Sequence, residues 1–246
     1  MKIDKKIHRR VGEAISRFGL VEEGDHILVG VSGGKDSTSL AKVLHEKQKY
    51  FPLKFEVTAA HVVMDIFPRD DELISRIDAA FHALEIPLVR RFVNVKSNLK
   101  DNERINCFFC AMHRRMAMIR IAKALGCNKI AYGHHMDDVI ETLLMNMLYK
   151  GEISTMPARL ELDNHDIVIV RPLVLAKEHE VRAYAKRCGL VDIDGPPCPH
   201  GKDGRRLRIK RLVSELSSEH KEVRNNLFAA LGRVKLDYLL EKRKGG

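Results

Sequence analysis

Six consecutive residues, Ser32-Gly33-Gly34-Lys35-Asp36-Ser37, carry groups suited to holding phosphate. Two adjacent glycines let the backbone turn sharply and present its N–H groups, and a helix that follows points its positive dipole end at the same spot. Such a loop cradles phosphate. Ser32 and Ser37 add hydroxyl donors, Lys35 neutralises phosphate charge, and Asp36 is placed to reach a phosphate-bound magnesium ion. The lysine follows the glycine pair and an aspartate comes next, which separates this string from the GxxxxGK[ST] loop.

A second group is sulfur-based. Cys107-Phe108-Phe109-Cys110 opens a helical stretch, and a C-x-x-C pair at a helix start brings two sulfurs to one metal or one redox couple. A structural zinc site would require a second such pair, and the sequence has none. Cys198, held among prolines in Pro196-Pro197-Cys198-Pro199, is the third thiol. Three thiolates with one vacant position suit an iron-sulfur cluster whose fourth iron is open to another ligand. His200, two residues on, is an alternative fourth ligand. Cys127, just after Gly126, and Cys188, in an amphipathic stretch, read as packing residues.

The third group is Tyr132-Gly133-His134-His135-Met136-Asp137-Asp138. Its two histidines are adjacent rather than four apart, so a helix would not aim both at one zinc ion. Asp137 and Asp138 read instead as a helix N-terminus near a nucleotide, one of them touching magnesium, with the histidines shaping the turn. Arg114, four residues after Cys110, is spaced to reach an α-phosphate, where negative charge develops during its attack.

Elements that position these groups follow from periodicity. Strands are expected at His26–Val31, Phe55–Met64, Leu88–Val95, Lys129–Tyr132 and Ile167–Val170. Helices are expected at Thr38–Tyr50, Asp70–Leu84, Ala111–Leu125, Asp137–Leu148 and about Lys177–Arg187, with helical periodicity again over Arg205–Leu240. An amphipathic helix over residues 1–24 places Ile7, Val11, Ala14, Ile15 and Phe18 on one side and ends near Gly19. Alternating strands and helices imply an α/β fold with a parallel sheet and helices on both faces. In such sheets ligands bind beyond the strand C-terminal ends, where the glycine loop and the Tyr132–Asp138 segment both fall.

At 246 residues and 45% hydrophobic, the chain can bury one substantial core. No apolar run is long enough to cross a bilayer and no secretory signal is visible, so the expectation is a cytoplasmic protein without a membrane partner. Lys and Arg number 43 against 33 acidic residues, and the net charge of +10 favours a polyanion, nucleic acid foremost. The basic residues gather near the N-terminus, over Arg205–Arg211 and at Lys242-Arg243-Lys244. Five cysteines in a chain with no export signal argue against a disulfide framework.

Taken together, SGGKDS, the C-x-x-C pair followed by Arg114 and Arg115, YGHHMDDVIETLLMN, KGEISTMPARL, IVIVRPL and Cys198 resemble the tRNA 2-thiocytidine synthetase group of the PP-loop ATP pyrophosphatases. The match covers about Asp25 to Arg211. The resemblance implies a Rossmann-like PP-loop domain over 25–190, an N-terminal helical segment over 1–24, and a cysteine-bearing loop with a basic helical region over 191–246. It implies ATP binding at Ser32, Gly33, Gly34, Lys35, Asp36 and Ser37, with Gly133, Asp137 and Asp138 near the nucleotide. It also implies catalytic roles for Lys35, Asp36, Arg114 and Asp138, magnesium at Asp36 and Asp138, and a [4Fe-4S] cluster on Cys107, Cys110 and Cys198.

The activity so implied is ATP-dependent tRNA thiolation: a pyrimidine C2 carbonyl, most simply that of an anticodon-loop cytidine, is adenylated and its oxygen replaced by sulfur delivered at the cluster. The sulfur donor is sulfide, or persulfide from a cysteine desulfurase system. Group members often carry a further cysteine just after the third ligand, where this sequence has Pro199-His200-Gly201. The alternatives are a 2-thiouridine synthetase, a persulfide chemistry without a cluster, another adenylase such as a lysidine synthetase, and a non-catalytic iron-sulfur RNA-binding protein. Homodimerisation through the N-terminal helix is left open.

Overall fold

A computed structural model describes residues 2–96, 107–190 and 204–238. Six strands, β1 (Asp25–Val31), β2 (Phe55–Met64), β3 (Leu88–Val93), β4 (Lys129–Ala131), β5 (Arg159–Leu162) and β6 (Ile167–Val170), form one sheet in the order β3-β2-β1-β4-β6-β5. All neighbours are parallel except the β5–β6 pair. Consecutive residues Ile27, Leu28 and Val29 of β1 are all fully buried, so both faces of the sheet are covered, as parallel strands require.

Between the strands lie α2 (Lys35–Lys47), α3 (Asp71–Ala83), α4 (Cys107–Ala124) and α5 (Met136–Lys150), preceded by α1 (Ile3–Phe18) and followed by α6 (Glu178–Arg187), α7 (Arg205–Glu219) and α8 (Val223–Ala230). Met118, Ile119, Ile121 and Ala122 of α4 form one core cluster with Leu28, Ala60 and Ile130 of the sheet. On α1, Ile7, Val11, Ala14 and Ile15 are buried, and its Lys6 pairs at 2.7 Å with the buried Glu180 of α6. By contacts the chain divides into Met1–Asp138 with Met156–Gly204, and Val139–Thr155 with Arg205–Gly246. In the second unit Arg206 pairs with the buried Glu141 at 2.9 Å, and Arg205 sits over the Tyr149 ring.

Several boundaries differ from those expected, each for a local reason. α2 begins three residues earlier, because Gly34 adopts the extended N-cap conformation and the Thr38 amide already bonds to the Gly34 carbonyl at 3.2 Å. β3 stops at Val93, since the Asp65 carboxylate takes over the Val95 and Lys96 amides. β5 was not expected from sequence; it is a four-residue edge strand that forms a hairpin with β6 through a turn with Asp166 at φ 52°. The expected long helix from Arg205 is interrupted, giving α7, α8 and a short 3-10 turn at Leu236–Tyr238.

Candidate active site

The strand order reverses at β1: β2 and β3 lie to one side, β4 and β6 to the other. The loops that leave the C-terminal ends of β1 and β4 therefore diverge from a common crevice, the place where such sheets bind nucleotides. The β1 loop is the glycine segment. Gly33 has φ 92°, a conformation that side-chain-bearing residues resist. Gly34 caps α2 with no side chain to take up the first amides, so the helix N-terminus presents N–H groups and a positive dipole end.

Hydroxyls brace this turn from within. The Ser32 amide donates to Ser37 Oγ at 3.2 Å, while the Ser37 and Thr38 hydroxyls each donate to the Gly34 carbonyl at 3.1 Å. Lys35 is mostly buried, with Nζ 2.9 Å from Asp36 Oδ2 and 3.6 Å from Glu178 Oε1. Burial would lower its pKa, but the bond and charge of Asp36 and the charge of Glu178 outweigh that and raise it above the ordinary lysine value. The other Asp36 oxygen, Oδ1, is buried without a hydrogen-bond partner among the described residues.

The β4 loop packs directly on this turn. A Cβ added at Gly133 would lie 2.8 Å from the Asp36 carbonyl carbon and 2.9 Å from the Ser37 nitrogen, so only glycine permits the approach. His135 and Asp138 then bind each other reciprocally: the His135 amide donates to Asp138 Oδ2 at 3.0 Å and the Asp138 amide donates to His135 Nδ1 at 3.3 Å. Asp137 accepts the Glu178 amide at 2.7 Å and so ties α5 to the start of α6. The crevice thus holds a row of amides, a restrained lysine and an under-used carboxylate oxygen, which together can bind a polyphosphate with its metal ion.

A family model described as a PP-loop domain matches residues 3–193. The chain belongs to the PP-loop family. Its relatives include a tRNA-cytidine(32) 2-sulfurtransferase of Syntrophotalea carbinolica, 37% identical over 98% of this chain and 93% of the relative. A protein of the same name from Geobacter sulfurreducens is 35% identical over 96% and 93%. Among solved structures, the U34-tRNA thiolase NcsA from Methanococcus maripaludis with its [4Fe-4S] cluster is similar with a TM-score of 0.79 at 23% identity, over 98% of this chain and 82% of that one. The NMN synthetase from Francisella tularensis is similar with a TM-score of 0.57 at 15% identity, over 99% of each chain. These two likenesses concern the fold.

Within the PP-loop framework, the residues from Ser32 to Ser37 come together with Gly133, and the His135 ring stands between Asp138 and Asp36. Arg114 is exposed on α4; its charge acts on His61 and Tyr132. Cys107 begins α4, and Cys110, one turn on, is buried in a cluster with Met64, Ile66 and Val95. Cys198 lies outside the described residues. Sequence reasoning missed Glu178, the second partner of Lys35, and Arg171, whose guanidinium is buried beside His134. Arg171 sits in the IVIVRPL string, but nothing local marks it as inward-facing.

Proposed function

We propose that this chain is an ATP-dependent tRNA sulfurtransferase that converts a cytidine, at the position named for its relatives, to 2-thiocytidine. The observation that carries the reading is end-to-end similarity to proteins named tRNA-cytidine(32) 2-sulfurtransferase, in a chain whose phosphate loop is folded as described.

On binding, the pyrophosphate part of ATP lies against the α2 amides, and Lys35 turns from Asp36 and Glu178 to phosphate oxygens. Magnesium fits at Asp36, whose buried Oδ1 is ready to ligate, with Asp138 as the second carboxylate. The base carbonyl oxygen attacks the α-phosphorus in line, pyrophosphate departs into the loop, and Arg114 supplies positive charge where negative charge develops on the α-phosphate. Adenylation converts a poor leaving oxygen into AMP, which departs when sulfur replaces it.

Cys107, Cys110 and Cys198 are the residues to hold a [4Fe-4S] cluster. The apolar surroundings of Cys110 and the i, i+3 spacing of Cys107 and Cys110 at a helix start fit such a group. When bound, the cluster supplies an iron at which sulfide, or sulfur from a desulfurase persulfide, is held. The basic helix α7, with Arg205, Arg206, Arg208, Lys210 and Arg211, suits the tRNA backbone. No helix among the described residues is long and apolar enough to cross a membrane; the cytoplasm is the place expected of this activity. Homodimer formation is tested by light scattering on the same preparation.

Nucleoside mass spectrometry of tRNA from a host lacking the gene is the test. Loss of 2-thiocytidine is expected. Loss of 2-thiouridine instead moves the assignment to uridine, and an unchanged profile refutes tRNA thiolation.

A further inference from the structure

Phe109 and His113 stand four residues apart on α4, and their rings touch, with centroids 4.2 Å apart and planes tilted by 49°. Residues at this spacing share one face of a helix, so the contact is built into α4 itself. The two rings differ in what lies behind them. Phe109 packs on the core cluster of Met64, Ile66, Val95 and Cys110. His113 is half-buried beyond Phe109; beside it Met112 is 42% exposed, and Arg114 and Arg115 are exposed as well. From the core outward the order is therefore aliphatic cluster, benzene ring, imidazole.

This face belongs to the sulfur side of the molecule. Cys110 and His113 are three residues apart, which puts their Cβ atoms about 5–6 Å from each other on one side of the helix. It also lies toward the nucleotide end of the sheet: the charges of Arg114 and Arg115 act on the phenol of Tyr132, which directly follows β4 and precedes the Gly133 that abuts Asp36. An aromatic ring flanked by exposed cations suits a nucleic acid with an unpaired base, the ring taking the base face and the guanidiniums the neighbouring phosphates. A second copy of this chain, with its net charge of +10, would bring like charge to the same place.

We propose that His113, backed by Phe109, is the stacking platform for the target nucleobase of the RNA, and that Arg115 takes the phosphate beside that base. The platform receives a base that has left its own stack and sets it one helical turn from Cys110. That the base is a cytidine of tRNA rests on the proposed function.

The test measures binding of an anticodon stem-loop RNA to the full chain purified anaerobically, and of the same RNA with an abasic nucleotide in place of the target cytidine. The native chain is expected to prefer the intact RNA. His113→Ala is expected to bind the intact RNA about tenfold more weakly, the scale of losing one base stack, and the abasic RNA as the native chain does. His113→Phe, which keeps an aromatic face, is expected to bind both as the native chain does. A fluorescent cytidine analogue at the target position is expected to be quenched by the native chain and by His113→Phe, and to stay bright with His113→Ala. Arg115→Gln is expected to weaken both RNAs alike and to lower the salt slope of binding by about one.

A histidine that only stabilises α4 lowers the melting temperature when replaced but does not tell the two RNAs apart. Equal losses for both RNAs in His113→Ala, or no loss for either, therefore overturn the proposal, as does a loss confined to a non-hydrolysable ATP analogue, which would give the ring to adenine. A native chain that binds intact and abasic RNA equally well overturns it even if His113→Ala fails to fold. Failure to bind either RNA refutes the tRNA reading along with the platform, whereas binding without the base-dependent difference refutes the platform alone.

Discussion

Nε2 of His135 lies 3.9 Å from Oδ1 of Asp36, the buried carboxylate oxygen that has no hydrogen-bond partner among the described residues. Because the Asp138 amide donates to the other ring nitrogen, the neutral imidazole carries its proton on the side facing Asp36. The gap is too long for a hydrogen bond and short enough for both groups to border one bound ion. Asp36→Asn keeps the size of the side chain and its contact with Lys35 while removing the charge. ATP-pyrophosphate exchange with tRNA present is expected to fall about 100-fold or more, as for loss of a preorganised electrostatic group, with little change in thermal stability. Retained exchange at saturating magnesium would remove Asp36 from the metal site.

Gly133→Ala tests the seam between the two loops. Its methyl group meets backbone atoms of Asp36 and Ser37 at under 3 Å, and backbone cannot rotate away as a side chain would. Overpacking of this kind costs about 1–3 kcal/mol and here displaces the first turn of α2. A lower melting temperature together with at least about tenfold weaker binding of an ATP analogue is expected. Unchanged nucleotide binding would show that the loops are not held by this contact.

Much of this arrangement is readable in the sequence because it is local. Gly33, Gly34, Lys35 and Asp36 are adjacent, they follow an apolar strand, and a strand-turn-helix unit at a parallel sheet has few other geometries. Alternation of strand and helix likewise announces the sheet. The pairing of Lys35 with Glu178 is not readable, since it joins α2 to α6 across the fold and neither residue stands in a pattern that names the other. Nor is the contact by which Asp137 Oδ2 accepts the amide of Glu178, which is tertiary and has no sequence signal. The β5 strand escaped notice because four residues at a sheet edge are too few to establish a period.

Glu178→Gln removes the second counter-charge of Lys35 while leaving its amide bond to Asp137 in place. With one carboxylate instead of two beside it, Lys35 is freer to engage phosphate. The apparent KM for ATP is expected to fall several-fold, equivalent to about 1 kcal/mol. A lysine pKa raised in the fold contributes stability that is complete below the unfolded value and lost as pH rises through the folded one, above 10.5. Lys35 is therefore charged throughout neutral pH, and the KM ratio between variant and native chain is expected to stay flat from about pH 6 to 9. A ratio that varies over that window, or a KM that rises, contradicts the clamp.

Cys110 and Cys127 provide the last contrast, because both are buried and both are in no disulfide. Cys127 lies among Leu28, Met118, Ile119, Ile121 and Ile130, and burial raises its thiol pKa to about 11. It is thus protonated and inert at neutral pH, since the thiolate is the reactive and metal-binding form. Cys110 stands in the first turn of a helix, three residues after Cys107. Cys127→Ala is expected to retain activity and iron content, whereas Cys110→Ala is expected to lose both when the protein is purified anaerobically. An acid whose pKa is raised by folding lowers stability once the unfolded thiol ionises, so Cys127 contributes a loss that begins near pH 9.0 and levels off near 11. Cys127→Ala should remove that part of the alkaline decline in melting temperature. Rapid alkylation of native Cys127 at neutral pH, or loss of iron in Cys127→Ala, would place it in the sulfur chemistry instead of the core.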